Sequence, residues 1–405
     1  MPGINRVILA LIALALRVQG SFYNNPEVVL SDPEQVTPEE LNAKWDIDLG
    51  FNGISTFANL DHTKCLLHPE TQFDIAILGV PFDTATSFRP GPRFGPRAVR
   101  AASARQRKFR AVNHRAGINP YTSWASIIDC GDIPVTPYDN ALALYQMTTA
   151  YTELLAHRPA AASESYAHPK IISIGGDHSI ALPALRALYK VHSQPITVLH
   201  FDAHLDTWDP TKATSYWANS PTQADFTHGS MFWLARSEGL IANSSSVHAG
   251  LRTRLTGTDY SDYNDDSNQG FYRIEADDID AIGLNGIIDA IMRHIGTERP
   301  VYLSVDIDVL DPGVAPGTGT PEAGGWTMRE LIQILRGIEE LNVVGADLVE
   351  VAPAYDGVGE VTALSGAQIV YEIVTSLVVR GSFNPGIGPK LQCLQPKDVS
   401  CAMTW

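Results

Sequence analysis

Three short segments of the sequence combine aspartate and histidine in patterns that suit metal binding. Each follows a run of apolar residues, and together they supply two histidines and four aspartates: His178, Asp202, His204, Asp206, Asp306 and Asp308. Residues two apart in an extended strand project to the same side. Asp202, His204 and, if the extended path continues, Asp206 would therefore point together, as would Asp306 and Asp308. Grouped carboxylates repel one another unless cations neutralise them.

The chemistry of this set of side chains predicts which ions it would hold. It offers carboxylate oxygens and imidazole nitrogens but no thiolate, so it suits Mn²⁺ and similar ions better than structural zinc. Four carboxylates are more than one catalytic ion needs, which predicts two ions with bridging carboxylates between them. A single D-x-H or D-x-D is common in loops. Three such clusters, each at the end of a predicted strand, are not explained as unrelated surface residues.

The elements that must position these residues are predicted to be strands of one sheet. Eight short apolar runs are mostly continuous rather than alternating, as expected for strands covered on both faces. These runs are Phe73–Val80, Ser126–Cys130, Lys170–Ile174, Ile196–Phe201, Ser246–Ala249, Phe271–Ile274, Val301–Val305 and Val343–Val349. Segments of helical length separate several of them: Ala141–Ala156, Leu182–Val191, Ile279–Ile295 and Thr327–Leu341. This alternation predicts an α/β domain with a parallel sheet between helices, in which ligands bind beyond the carboxyl ends of the strands.

At these residues the chain strongly resembles the ureohydrolases, the arginase–agmatinase family. The family motifs G-G-D-H-S, D-A-H-x-D and S-x-D-x-D-x-x-D-P match Gly175–Ser179, Asp202–Asp206 and Ser304–Pro312. Further similar segments are Gly79–Asp83, Arg89–Pro96, His228–Ser230 and Glu350–Asp356. The resemblance covers about Gln72 to Arg380. It implies a three-layer α/β/α sandwich around a mostly parallel sheet of about eight strands, and a homotrimer or homohexamer.

The resemblance also implies the metal ligands and the reaction. His178 and Asp206 would hold one Mn²⁺, His204 and Asp308 would hold the second, and two aspartates would bridge both ions: Asp202 and Asp306. The family hydrolyses a guanidinium group to an amine and urea. A guanidinium carbon is a poor electrophile, so the water that attacks it must be activated. Two cations that share this water would lower its pKa and hold hydroxide ready near neutral pH.

Three residues would act on the substrate itself. Asp206 would orient the attacking water, and Glu350 would receive the planar guanidinium through charge-assisted hydrogen bonds. His228 would shuttle a proton to the departing amine. The alternative for His228 and for Glu350 is a purely structural role.

The segments around D-A-H-L-D and H-G-S favour one branch of the family. Arginases carry a histidine segment that resembles H-G-Q-P, whereas this chain has His228-Gly229-Ser230-Met231-Phe232. We therefore expect hydrolysis of agmatine to putrescine and urea, with 4-guanidinobutyrate or another guanidino acid as the alternative substrate. The insertion Pro210–Phe226 borders the predicted site. A catalytically inactive secreted binding protein on the same fold is the alternative of a different class. It would be expected to lack metal ligands, and none of the six is missing.

Composition and charge limit the remaining classes of function. The chain has 405 residues, of which 44% are hydrophobic and 18% charged, so it is not intrinsically disordered. Its net charge of −16 argues against a nucleic-acid partner, because neutralising phosphates requires clustered Lys and Arg. An acidic chain is compatible with a small cationic guanidino substrate.

The first twenty residues are typical of a secretory signal peptide. Arg6 gives a positive start, and the apolar run Val7–Leu16 is about half the ~20 residues that a membrane-spanning helix needs. Small residues at positions 18 and 20 suit cleavage before Ser21. We expect a secreted protein, or one of the secretory pathway, with no membrane association in the mature form. The expected divisions are residues 1–20, 21–71 as an N-terminal extension, 72–385 as the catalytic domain and 386–405 as a tail.

The four cysteines do not form a zinc pattern, because no pair has C-x₂-C spacing. Cys130 lies in a predicted strand, where we expect a small buried thiol. Cys393 and Cys401 could close a loop in an oxidising compartment, although pairing, including that of Cys65, does not follow from sequence. Asn243-Ser244-Ser245 is an N-glycosylation sequon.

Overall fold

The computed structural model describes residues 54–161, 167–210 and 225–382, together with Thr37 and Glu39. The expected signal peptide and the Cys393–Cys401 pair lie outside these residues. Eight strands form one sheet in the order β2-β1-β3-β8-β7-β4-β5-β6, and every pair of neighbours is parallel. The strands are β1 Ile75–Val80, β2 Ile127–Asp132, β3 Lys170–Gly175, β4 Thr197–Phe201, β5 Ser246–Leu251, β6 Phe271–Glu275, β7 Val301–Asp306 and β8 Val343–Val349.

The sheet is covered on both faces, which is why its strands read as continuous apolar runs. Every residue of β1, β4, β5, β7 and β8 is buried. Within β1, Ile75 and Ile77 join the hydrophobic core on one face of the sheet, whereas Ala76 and Leu78 join the core on the other. The alternating geometry of a strand thus supplies two cores from one apolar segment. All eight predicted strands and the parallel sheet are confirmed.

The helices complete a three-layer sandwich. They are α1 Gly95–Ala102, α2 Asn140–Leu155, α3 Ala181–His192, α4 Met231–Ser237, α5 Ser261–Gln269, α6 Asp278–Ile295, α7 Met328–Gly337 and α8 Val361–Ser382. Apolar side chains of α1, α6, α7 and α8 belong to one core, and those of α2, α3 and α4 belong to the other. The four predicted helices correspond to α2, α3, α6 and α7. Helix α7 begins with a capping box between Thr327 and Glu330.

Helix α8 is long and apolar enough to cross a membrane by length and composition alone. However, 67% of its segment Val361–Gly381 is buried inside the protein. Its residues Val370, Val374 and Val378 lie in the hydrophobic core and are fully buried. The apolar character of α8 is therefore that of a core helix.

The residues just before β1 pack against the sheet. Cys65 forms a disulfide with Cys130 of β2. Cys130 is buried, as expected, and the structure supplies the pairing that the sequence left open. The Phe57 amide donates a hydrogen bond of 2.8 Å to the carboxylate of Asp129, and the Phe57 side chain is fully buried. A covalent bond and a buried hydrogen bond therefore fix this upstream segment to β2.

A buried ion pair joins α1 to the same strand. Arg100 donates to both carboxylate oxygens of Asp129, from Nε at 2.8 Å and from Nη2 at 2.9 Å. Both side chains are at most 8% exposed. Burial by itself lowers the pKa of Arg100, but the charge of Asp129 raises it above its ordinary value. The bidentate geometry keeps these two largely buried charges paired.

Candidate metal centre and active site

Four neighbouring central strands carry the predicted site residues to one edge of the sheet. His178 begins a short 3₁₀ turn after β3, Asp202 directly follows β4, Asp306 ends β7, and Glu350 directly follows β8. Asp177 caps the turn, because its carboxylate accepts the Ser179 amide at 3.0 Å. The order β3-β8-β7-β4 places these four carboxyl ends side by side.

A first cluster surrounds His178. Its Nδ1 atom lies 3.1 Å from Asp202 Oδ2, 3.1 Å from Asp206 Oδ2 and 3.3 Å from Asp306 Oδ2. All four residues are at most 6% exposed. Among the described residues, Nδ1 of His178 nevertheless has no partner in a hydrogen bond of good geometry. Three carboxylate oxygens thus converge on a buried nitrogen that lacks a hydrogen-bond partner. A cation bound between these four atoms would satisfy all of them.

A second cluster surrounds His204. Its Nδ1 atom lies 3.1 Å from Asp308 Oδ2 and 3.2 Å from Asp202 Oδ1. Asp202 therefore turns one oxygen to each histidine, as a carboxylate that bridges two ions would. Asp306 lies between the clusters as well, since its Oδ2 faces His178 while its Oδ1 accepts the Asp308 amide at 2.8 Å. The structure thus brings all six predicted ligands together, and their geometry fits a pair of metal ions.

A third histidine, His200, lies within this group but has other partners. Its Nε2 atom is 2.8 Å from Asp202 Oδ2, and its Nδ1 atom is 2.7 Å from His248 Nδ1. Both ring nitrogens are therefore occupied by protein groups. His200 therefore contacts the proposed ligand Asp202 and has no free ring nitrogen with which to bind a metal ion itself.

The clustered carboxylates dominate the electrostatics of the site. Burial, reinforced by Asp202, raises the pKa of Asp308 to about 6. Burial and the charges of Asp308 and Asp202 raise the pKa of Asp306 well above its usual range. Burial alone would lower the pKa of His178, but the three aspartate carboxylates that converge on its Nδ1 raise it well above the ordinary value. The raised pKa values of His178, Asp306 and Asp308 mean that protons would compete with metal ions for this site.

Two of the predicted site residues have unusual backbone conformations. Asp206 has φ of 55° and Glu350 has φ of 61°, both in the left-handed region that residues with a Cβ atom rarely adopt. Each is held by a backbone hydrogen bond: Asp206 O accepts the Phe232 amide at 3.3 Å, and the Glu350 amide donates to Gly176 O at 2.9 Å. Such conformations cost about 1–3 kcal/mol and cluster at functional sites.

His228 and Glu350 are in direct contact. Nδ1 of His228 is 3.0 Å from Glu350 Oε1, which also accepts the His178 amide at 2.9 Å. Glu350 Oε2 is buried and has no hydrogen-bond partner among the described residues. Ser87 lies on the other side of the ring, where its amide donates to His228 Nε2 at 3.0 Å and its Oγ is 2.7 Å from the same nitrogen. Sequence reasoning missed Ser87, although it lies between two segments that carry the family resemblance.

A cavity of about 960 Å³ opens onto these residues. Its wall includes His204, Asp206, Asp306 and His228, but not the buried Glu350. Other parts of the wall come from Trp208 and from α5 and the loop that precedes it, with three further acidic residues: Asp209, Asp262 and Asp265. No lysine or arginine is among the described residues that line this cavity. The cavity is thus suited to a small cationic molecule.

Comparisons with known proteins agree with this geometry. The sequence profile of the arginase family matches residues 73–375. The chain is 48% identical over 349 residues to the protein named "Putative agmatinase 3" of Schizosaccharomyces pombe, covering 84% of this chain and 83% of that protein. It is 38% identical over 306 residues to agmatinase of Salmonella paratyphi B, covering 75% and 88%. The structure of proclavaminate amidino hydrolase from Streptomyces clavuligerus matches with a TM-score of 0.70 at 34% identity, covering 82% of this chain and all of that one.

The three-layer fold and the paired histidine–aspartate clusters define a metal-dependent hydrolase. The chain belongs to the arginase family, and it acts on carbon–nitrogen bonds of guanidino compounds. The family resemblance and the fold predicted from the sequence are both confirmed.

Proposed function

We propose that the protein hydrolyses agmatine to putrescine and urea with two Mn²⁺ ions bound per chain. The observation that carries this proposal is the position of Asp202 between His178 and His204, with one carboxylate oxygen directed at each imidazole. One shared carboxylate between two nitrogen donors suits two ions close together. The donor set of oxygen and imidazole nitrogen, without thiolate, supports Mn²⁺.

The six proposed ligands and two neighbouring residues divide the chemistry between them. A bound pair of divalent cations supplies an activated water at neutral pH and neutralises the carboxylates. Asp206 lines the cavity, so it can accept a hydrogen bond from that water and fix its direction. His228, which also lines the cavity, is placed to give a proton to the departing amine. Glu350 orients the ring of His228. Its unpaired Oε2 would accept a hydrogen bond from a guanidinium N–H group only where the substrate reaches beyond the cavity wall, because Glu350 itself does not line the cavity.

The charge of the cavity wall supports agmatine over 4-guanidinobutyrate. Both molecules present the same guanidinium, but agmatine ends in an ammonium group and 4-guanidinobutyrate ends in a carboxylate. Asp209, Asp262 and Asp265 line the cavity, and the described lining residues include no lysine or arginine. Like charges in a partly desolvated cavity are unfavourable, so the anionic tail would be rejected more strongly than the cationic one.

Metal counting combined with urea release tests the proposal. Protein stripped with a chelator and reloaded with Mn²⁺ should contain two ions per chain. When agmatine, 4-guanidinobutyrate and arginine are compared at equal concentrations, it should release urea fastest from agmatine, whose tail is cationic. Release of no urea from any guanidine by protein that holds two ions would support the inactive binding protein instead. A single bound ion would contradict the binuclear site.

We also propose that the chain matures in the secretory pathway and assembles as a homotrimer or homohexamer. The Cys65–Cys130 disulfide supports the first part, because such bonds persist in oxidising compartments and are rare in the cytosol. The family resemblance supports the second. Light scattering on purified protein would give the mass of the assembly, and a monomer would contradict the second part.

A further inference from the structure

A chain of buried hydrogen bonds leads from the metal centre to helix α5. His200 Nε2 is 2.8 Å from Asp202 Oδ2, His200 Nδ1 is 2.7 Å from His248 Nδ1, and His248 Nε2 is 3.0 Å from Asp266 Oδ1. His200, His248 and Asp266 are each 0% exposed. We call these three residues the histidine chain. It joins β4, β5 and α5, and it does not touch the cavity.

The position of the histidine chain is fixed at its far end. Asp266 Oδ2 accepts a hydrogen bond of 2.8 Å from Arg273 Nη1, and its Oδ1 accepts one of 2.8 Å from Thr207 Oγ1. The ring of His248 stacks on Phe271, with ring centres 4.0 Å apart. A buried polar network is stabilising only when its members are satisfied. Here each member of the chain has partners on both sides, so the position of one ring fixes the next.

The same helix also holds the chain segment that contains Asp206. Thr207 Oγ1 donates to Asp266, and Gln269 Nε2 donates to the Thr207 backbone oxygen at 2.8 Å. Asp202 and Asp206, two of the three carboxylates around His178, are thus both connected to α5. By contrast, His178 is held from another direction, since its Nε2 is 2.7 Å from Ser304 Oγ, which donates to Asp347.

We propose that the histidine chain holds Asp202 in the orientation in which its two oxygens face two different metal ions, so that His248 and Asp266 are positioning residues for metal binding. The proposal rests on the proposed function, because it assumes that two ions bind at these clusters. Nε2 of His200 can donate to Asp202 only in the present orientation of the ring. That orientation depends on His248, which contacts Nδ1 of the same ring. Loss of such an outer partner typically weakens metal binding by about 10–100-fold.

Two substitutions of His248 separate positioning from packing. Asparagine places an amide nitrogen near the position of Nδ1, so His248→Asn keeps a donor toward His200. Glutamine places its amide near the position of Nε2, so His248→Gln keeps the link to Asp266 and loses the link to His200. Both lose the stacking on Phe271. We expect Mn²⁺ binding to be weaker by about 10–100-fold in His248→Gln. His248→Asn should weaken it less, because the contact with His200 is kept and only the link to Asp266 is lost.

The measurement is a calorimetric titration of the metal-free full-length protein with Mn²⁺, together with the electron paramagnetic resonance signal of the coupled ion pair. Positioning predicts loss of the coupled signal in His248→Gln at an Mn²⁺ concentration that saturates the wild type. His157 is a matched control, since it is 6% exposed, contacts the Thr71 backbone oxygen at 2.8 Å and packs on Phe73. His157→Gln should lower the melting temperature without changing Mn²⁺ affinity.

Equal weakening in His248→Gln and His248→Asn would overturn the proposal, because a loss of packing alone predicts that result. Wild-type affinity in His248→Gln would overturn it as well. If neither variant folds, Asp266→Asn replaces them, because it keeps the shape of the side chain while removing its charge. Unchanged Mn²⁺ affinity in that variant would refute the proposal. Failure of the wild-type protein to bind two ions would instead contradict the proposed function.

Discussion

His228 and Glu350 are 122 positions apart in the sequence, and the structure places Nδ1 of the imidazole 3.0 Å from Oε1 of the carboxylate. Since the Ser87 amide donates to Nε2, the ring proton in this arrangement lies on Nδ1 and faces Glu350. Burial alone would lower the pKa of His228, but Glu350 raises it to about 9. When Nε2 carries a proton, the Ser87 hydroxyl at 2.7 Å can accept it, whereas the Ser87 amide then loses its acceptor.

The first prediction concerns Glu350→Gln, which keeps the shape of the side chain and removes its charge. Two metal ions should still bind, because Glu350 is not among the six ligands. A charge-assisted hydrogen bond is worth about 1.5–3 kcal/mol, so kcat/KM should fall roughly ten- to a hundred-fold. The loss should be similar for agmatine and 4-guanidinobutyrate, which share a head group. A change only in the ratio between these substrates would make Glu350 a contact for the tail.

The second prediction is a pH profile. If protonated His228 is the general acid, kcat should fall as pH rises through the pKa of about 9. Removing the carboxylate removes the main influence that raises this pKa, so Glu350→Gln should shift the alkaline limb to lower pH. The check is kcat between pH 7 and 10 at saturating Mn²⁺. An alkaline limb at the same pH in wild type and Glu350→Gln would exclude His228 as the group that titrates.

The third prediction concerns the second cluster. His204→Ala removes the imidazole that faces Asp202 and Asp308, so the metal content should fall below two ions per chain and urea release should be abolished. His68→Ala is the control, because His68 is exposed and its partner is the exposed Glu70. Metal analysis and a urea assay give both readouts. A fully active His204→Ala protein with unchanged metal content would refute the ligand assignment.

The fourth prediction concerns stability. Arg100→Met keeps the volume of the side chain but leaves Asp129 as a buried charge without its bidentate partner. Breaking such a pair typically costs about 3–5 kcal/mol of the free energy of unfolding. Urea denaturation followed by circular dichroism would measure the change. The exposed pair of Lys108 and Asp61 provides the comparison, since Lys108→Met should cost less than about 1 kcal/mol.

The fifth prediction concerns maturation. The N-terminal sequence of protein from its native source should begin near Ser21, and Cys65 and Cys130 should be linked in non-reducing peptide maps. Asn243 is exposed in the structure, so passage through the endoplasmic reticulum would allow a glycan there. An intact Met1 on cytosolic protein with both thiols free would contradict the secretory proposal.

The strands, and the grouping of the six candidate ligands at one edge of the sheet, could be predicted from sequence because their signals are local. A continuous apolar run such as Val343–Val349 indicates a strand buried on both faces, and D-x-H after β4 indicates two side chains directed to the same side. The Cys65–Cys130 bond could not be predicted, because the two residues are 65 positions apart and their spacing carries no pairing rule. Helix α5 was missed for a different reason. Its sequence S-D-Y-N-D-D-S-N-Q has no apolar stripe, and its buried face consists of Asp266 and Gln269.

The left-handed backbone at Asp206 and Glu350 has a consequence for selection experiments. Glycine adopts such a conformation without the steric cost that a Cβ atom imposes, so replacing either residue by glycine relieves strain while deleting a functional carboxylate. Mutations that raise stability often reduce activity at sites of this kind. A library of this chain screened only for heat resistance would therefore enrich inactive variants at Asp206 more than at Glu350, because loss of Glu350 also leaves the His178 amide without its acceptor. Screens for thermostable variants need a simultaneous assay of urea release.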